Sequence, residues 1–168
     1  GPDATGIHPH PRPLALADGS QAFATSGHQR LAILDLDRRS NQPFVRGDRA
    51  LVFNGEIYNF RELRRLLDDA AGPFTTTGDT EVLFRGLAHR GLDFLAAANG
   101  MWAFSYLDEQ RGLLLAARDR YGKKPLFVAA DDQQLVISST VAAIHHCLGR
   151  RPRLDRGFAD RYLAHGSA

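Results

Sequence analysis

Asn54-Gly55-Glu56-Ile57-Tyr58-Asn59 is the stretch on which the reading of this chain turns. It follows a short apolar run, Ala50 to Phe53, and leads into a helix signal at Asn59. Asn-Gly is the favoured dipeptide of a tight hairpin turn, so one expectation is a strand that ends at Asn54. The other expectation is chemical. An asparagine amide beside a glycine N–H supplies two donors for an oxyanion, a stabilisation of about 3 kcal/mol in a tetrahedral intermediate. Glycine also lets a substrate come close to the backbone.

Two further segments flank it, His28-Gln29-Arg30-Leu31 upstream and Gly78-Asp79-Thr80-Glu81 downstream. Arg30 heads the apolar run Leu31 to Leu34. At a strand edge such an arginine is ordinarily a solvated charge or a surface ion pair. A guanidinium can also bind an α-carboxylate through two parallel hydrogen bonds, which fixes position and orientation together. Asp79 stands at a predicted helix start, where the plain role is an N-cap. The same carboxylate could accept from a substrate ammonium group, and Glu56 has the same dual status.

Around these segments the pattern mixes strands and helices. Gly1 to Asp18 is rich in proline and small residues and is expected to be an extended entry loop. Ala22 to Asp37 is strand-like, with Leu31, Ile33 and Leu36 as its apolar set, and Arg38 to Asp48 is a loop around Pro43. Asn59 and Glu62 form a capping-box-like pair for a helix striped by Phe60, Leu63, Leu66 and Leu67, stopped by Gly72-Pro73. A second helix is predicted from Asp79 or Thr80 to His89, with Gly91 as its C-cap, and a short one from Leu92 to Ala98. Met101 to Leu107 and Leu113 to Ala117 form a hairpin, as do Leu126 to Ala130 and Leu135 to Ser138. Helices close the chain at Thr140 to Leu148 and Asp155 to Ala164. Hairpins interleaved with helices argue for an α+β fold over a wound parallel sheet.

Composition excludes several functions. The 168 residues carry a formal charge of only +2, with two adjacent lysines (Lys123 and Lys124) and arginines scattered elsewhere. No basic cluster with aromatic platforms suggests a nucleic acid partner. No apolar run approaches the ~18 residues of a membrane span, so a cytoplasmic protein is the default. The single cysteine, Cys147, forbids an intrachain disulfide. Its neighbours His145 and His146 point in different directions on a helix, so no metal site is expected and a small core cysteine is the simplest reading. No Walker or GxGxxG loop is spelled.

Taken together, the blocks resemble the class II glutamine amidotransferase domain of glutamine-hydrolysing asparagine synthetases. Gly1-Pro2-Asp3 is similar to the end of that family's His-Arg-Gly-Pro-Asp segment. Gly27 to Asp35, Asn41-Gln42-Pro43, Asn54 to Asn59, Gly78 to Glu81, Gly100 to Phe104 and Arg118 to Leu126 are similar to its later blocks. The resemblance implies an N-terminal-nucleophile hydrolase fold, an αββα sandwich of two antiparallel sheets, here lacking its first strand. It implies Asn54 and Gly55 as the oxyanion hole, Arg30 for the glutamine α-carboxylate and Asp79 for its α-amino group. Leu31, Ile33 and Glu56 would line the pocket.

The resemblance further implies L-glutamine as substrate and an N-terminal cysteine as nucleophile, with that residue's α-amino group as base. No such cysteine stands in these 168 residues, so the isolated chain is expected to be inactive. Residues 1–145 would be the glutaminase domain and residues 146–168 a linker and first helix toward a C-terminal synthetase domain. That domain would use ATP and Mg to activate a carboxylate, foremost that of aspartate, for amidation by the released ammonia. The glutaminase domain itself needs no cofactor. Arg118, Asp119 and Lys124 lie in a charged loop that is either a solvated connection or an interdomain contact. Synthetases of this kind are often homodimers. The competing reading is a pseudo-glutaminase, a binding or scaffolding module without a nucleophile.

Overall fold

A computed structural model describes residues 3–16, 18–149 and 155–166, which divide into two compact units, Gly1–Leu126 and Phe127–Ala168. The larger unit is built on a four-stranded antiparallel sheet. Its strands are β5 (Phe44–Arg46), β6 (Arg49–Ile57), β7 (Gly100–Asp108) and β8 (Leu113–Arg118), paired in that order. Leu51 and Phe53 of β6 stand opposite Tyr106 and Phe104 of β7. These four side chains are almost wholly removed from water. Burial of that kind contributes about 1.5–3 kcal/mol per large side chain.

Two helices complete the core. The first, α1 (Phe60–Ala71), buries Leu63 and Leu67, while α2 (Asp79–Arg90) buries Val82, Leu83, Phe84 and Leu87. Phe84 packs edge-on against both Phe44 and Tyr106, an arrangement that adds to plain area burial. Leu66, placed in the α1 stripe by sequence, is instead 60% exposed. A second antiparallel ladder, β1 (Ala4–Pro9) with β4 (Thr25–Arg30), packs on β6, and β2 (Leu14–Ala15) pairs with β3 (Gln21–Ala22). Every strand pairing among the described residues is antiparallel, as the α+β reading expected.

Four local expectations are corrected. The segment expected to be an entry loop forms β1 and β2, hidden because β1 inverts the usual polarity: Gly6 and His8 point inward while Ile7 is 73% exposed. The strand read from Ala22 to Asp37 stops at Arg30, leaving Leu31, Ile33 and Leu36 largely exposed. The loop expected at Arg38 to Asp48 contains a 3-10 turn, Arg38–Ser40, and β5. Asn59 precedes α1 without capping it. Its side chain instead accepts from Asn99 N–H and donates to the Ala97 carbonyl, tying the helix start to the approach of β7.

The smaller unit holds the expected hairpin, β9 (Phe127–Ala130) with β10 (Leu135–Ser138), turned by the Asp131 carboxylate accepting from the N–H groups of Gln133 and Gln134. Helices α3 (Val141–Leu148) and α4 (Arg156–His165) are N-capped by Thr140 and Asp155. Ile144 is the buried residue of α3, and Cys147 on its flank is exposed, so the core-cysteine reading is also corrected. Part of the segment read as a linker, residues 150–154, lies outside the described residues.

Candidate active site

The expected hairpin turn at Asn54-Gly55 does not form. Strand β6 continues through both residues, with Asn54 opposite Ala103 and Gly55 opposite Trp102. Gly55 has φ 146°, and a Cβ there would strike the Met101 carbonyl and lie 2.6 Å from Trp102 Cα. Only glycine meets both demands. The pair therefore presents its amide and backbone from inside a rigid sheet.

That surface opens on a cleft of about 390 Å³ in the larger unit. Of the sequence-derived site residues, Arg30, Leu31, Ile33, Asn54, Gly55, Glu56 and Asp79 all line it. So does Lys124, whereas Arg118 and Asp119 do not. Sequence reasoning gave no role to His28, Gln42, Thr80 or Met101, which also line the cleft. All four stand inside the quoted blocks, His28 and Thr80 in the flanking segments, Gln42 and Met101 in blocks similar to the family's.

Asp79 is the first residue of α2, with Gly78 at the cap position, so the N-cap role assigned to it does not apply. Its Oδ2 accepts from the Ile57 N–H at 2.9 Å, which joins the helix start to the end of β6. Burial pushes its carboxyl above the ordinary range, with the Ile57 N–H acting against that shift. No cation pairs with it among the described residues.

Arg30 is 7% exposed at the end of β4. Its guanidinium donates to Asn41 Oδ1 at 2.8 Å and to the carbonyls of Leu34, Asp35 and Asp37. All these partners are neutral oxygens, and no carboxylate pairs with it among the described residues. The solvated or ion-paired arginine is thus not what the structure holds. Arg30 gathers the 31–41 loop around a buried positive charge, which is also why β4 ends there and why Asp35 takes a left-handed backbone, φ 50°. The Asp35 carboxylate then accepts from Thr77 N–H at 2.6 Å, linking that loop to the segment before α2.

Two other residues shape the walls. Gln42 Oε1 accepts from the Phe53 N–H at 2.6 Å, replacing a strand partner for β6. His28 has a buried Nδ1 with no hydrogen-bond partner among the described residues, and burial lowers its pKa, so its ring favours the neutral form. Asp119 works from behind. Burial opposes its charge, but the N–H groups of Lys123, Lys124, Trp102 and Tyr121 outweigh it and draw the carboxyl down to about 2. Asp119 therefore sets the backbone that delivers Lys124 to the cleft.

A family model described as a glutamine amidotransferase domain matches residues 1–168. The chain belongs to the glutamine amidotransferase family. This glutamine amidotransferase domain is 33% identical, over 159 aligned residues, to a putative asparagine synthetase [glutamine-hydrolyzing] 2 of Methanocaldococcus jannaschii, covering 83% of this chain and 30% of that protein. It is 37% identical over 134 residues to asparagine synthetase [glutamine-hydrolyzing] 3 of Bacillus subtilis, covering 77% of this chain and 22% of the relative. The domain thus spans less than a third of the length of these relatives. Its fold is shared with the glutamine phosphoribosylpyrophosphate amidotransferase of Bacillus subtilis, at TM-score 0.63 and 23% identity over 79% of this chain and 30% of that one. That likeness bears out the fold expected from the resemblance. No helix among the described residues is long and apolar enough to cross a membrane.

Proposed function

We propose that the cleft binds L-glutamine and hydrolyses its side-chain amide, supplying ammonia for ATP-dependent amidation of a carboxylate, foremost that of aspartate. One observation carries the reading. A buried guanidinium and a buried carboxylate, neither with an ion-pair partner among the described residues, line the same cleft, beside the two donors of Asn54-Gly55. A free amino acid brings the missing charges as a pair. Its α-carboxylate answers Arg30 and its α-ammonium answers Asp79, which leaves the side-chain amide for the Asn54-Gly55 donors. Unmatched buried charges are costly in the empty protein. Retaining both makes sense where a zwitterion neutralises them.

The nucleophile of this reaction is a cysteine thiolate supplied from outside the 168 residues. Cys147 is exposed on α3 in the other unit and is not among the cleft-lining residues. The ATP and Mg step belongs to a C-terminal synthetase domain, toward which residues 146–168 lead and which the Arg118, Asp119 and Lys124 loop helps to contact. The names of the relatives support this division of labour.

The test is glutamate release from glutamine by the full-length gene product and by the 168-residue chain. The full-length protein should turn over and the isolated chain should not, while both bind glutamine. Absence of turnover in a full-length protein that still binds glutamine would favour a non-catalytic binding module. Absence of glutamine binding by both would overturn the assignment of the cleft.

A further inference from the structure

The inverted polarity of β1 and β4 leaves a second polar cluster with no part in the glutamine cleft. Side chains alternate along a strand, and the inward row of β1 runs through Gly6 and His8 to His10, just past the strand's end. Ser26 of β4 stands directly opposite His8 in the register. Glu109, in the turn after β7, reaches the same place. His10 is 4% exposed, and its ring is fixed at both nitrogens, Nδ1 at 2.7 Å from Glu109 Oε1 and Nε2 at 2.9 Å from Ser26 Oγ. His8 meets the His10 ring edge-on, with centroids 4.8 Å apart. One ring nitrogen from each histidine and one Glu109 oxygen all lie within 4.8 Å of one another.

We infer that His8, His10 and Glu109 form a binding site for a divalent first-row transition ion of the Zn2+ type. Two imidazoles and a carboxylate are a donor set suited to such ions, and three protein ligands leave a fourth position open. Two donors of one ion stand about 3.3 Å apart for tetrahedral bonds near 2.0 Å, so the His10 Nδ1–Glu109 Oε1 hydrogen bond of 2.7 Å has to open slightly to admit one. Ser26 completes the arrangement. A hydroxyl can donate or accept, so when Nδ1 binds the ion the ring carries its proton on Nε2 and donates it to Ser26 Oγ. A ligating histidine typically has such an outer partner. Pro9 and Pro11 hold the backbone on either side of His10, and the His10 N–H donates to the Ala24 carbonyl at 2.9 Å, so the ligand is preset. An ion there would clamp β1 to the β7–β8 turn.

The site was invisible to motif spacing because Glu109 follows His10 by 99 positions in the chain. It is tested by titrating metal-free protein with Co2+, following the visible absorption of a tetrahedral site, with Zn2+ as competitor and thermal melting as a second readout. The expected result is one equivalent bound, displacement by Zn2+ and a higher melting temperature with either ion. His8→Gln removes a ligand whose ring forms no hydrogen bond among the described residues and should weaken binding at least about tenfold while the metal-free protein melts as before. Ser26→Ala should also weaken binding by about tenfold, acting through His10. No binding at millimolar Co2+ would overturn the site. Unchanged affinity in the His8→Gln variant would overturn it too, placing the ion at another histidine, such as those beside Cys147.

Discussion

Gly55 on β6 lies so close to Met101 on β7 that no side chain fits between them, and its φ of 146° is one that other residues rarely adopt. Gly55→Ala therefore meets backbone strain and a clash with a neighbouring strand at once. We expect a loss of about 3 kcal/mol in stability, read as a lower urea midpoint. Glutamine binding should fall with it, because the strand must shift at the proposed oxyanion donors. An Ala variant as stable as wild type would show that the two strands can part here at no cost.

On the proposed function, Arg30 serves the protein and the ligand together. Arg30→Lys retains a charge but not the planar fork that gathers the Leu34, Asp35 and Asp37 carbonyls. We predict faster proteolysis and hydrogen exchange within residues 31–41 and at least a tenfold weaker glutamine affinity, since hydrogen bonds to charged groups contribute about 1.5–3 kcal/mol. A Lys variant that binds glutamine normally would show that the α-carboxylate is held elsewhere.

Asp79→Asn should separate stability from function. Burial raises the folded pKa of Asp79 above its ordinary value of 3.8. The folded state thus holds the proton more tightly than the unfolded chain does. This contribution is fully present below 3.8 and is lost as pH rises through the folded pKa. Asparagine keeps an oxygen for the Ile57 N–H and carries no charge to bury. The variant should be more stable than wild type at neutral pH, with the gap closing in acid, and should bind glutamine at least tenfold more weakly. Parallel stability curves for the two proteins across that range would contradict the raised pKa.

Asp35 and Asp119 act with the opposite sign. Both are held at about 2, against an ordinary 3.8. In each, burial works against the charge; backbone N–H groups overcome it at Asp119, and backbone N–H groups together with neighbouring hydroxyls overcome it at Asp35. The stability they contribute is present above 3.8 and disappears as pH falls toward about 2. Asp119→Asn should flatten the acid limb of a urea-midpoint profile and loosen the 120–125 loop, seen as faster exchange at the Lys123 and Lys124 amides. An acid limb identical to wild type would place the loss at other carboxylates.

The helices, the two hairpins and the antiparallel α+β character were legible from local pattern, because periodicity and Gly, Pro and Asn signals act over a few residues. The cleft's main residues were legible as well, through blocks whose order matched a family. Reading failed where distant partners outweighed local preference. Asn54-Gly55 reads as a turn until β7 pairs across it. Asn59 reads as a cap until Asn99 and Ala97 take its amide. Leu31, Ile33 and Leu36 read as strand until Arg30 collects the carbonyls around them.

By itself the sequence determined the family, the element types and which charged groups could serve a zwitterion. The tertiary structure alone decided that Arg30 and Asp79 share a cleft without ion-pair partners among the described residues, that Asp119 presents Lys124, and that Glu109 meets His8 and His10. The reason is physical. A residue's chemistry and local propensity are written in its own position, whereas burial and hydrogen-bond partners come from segments that folding alone brings together.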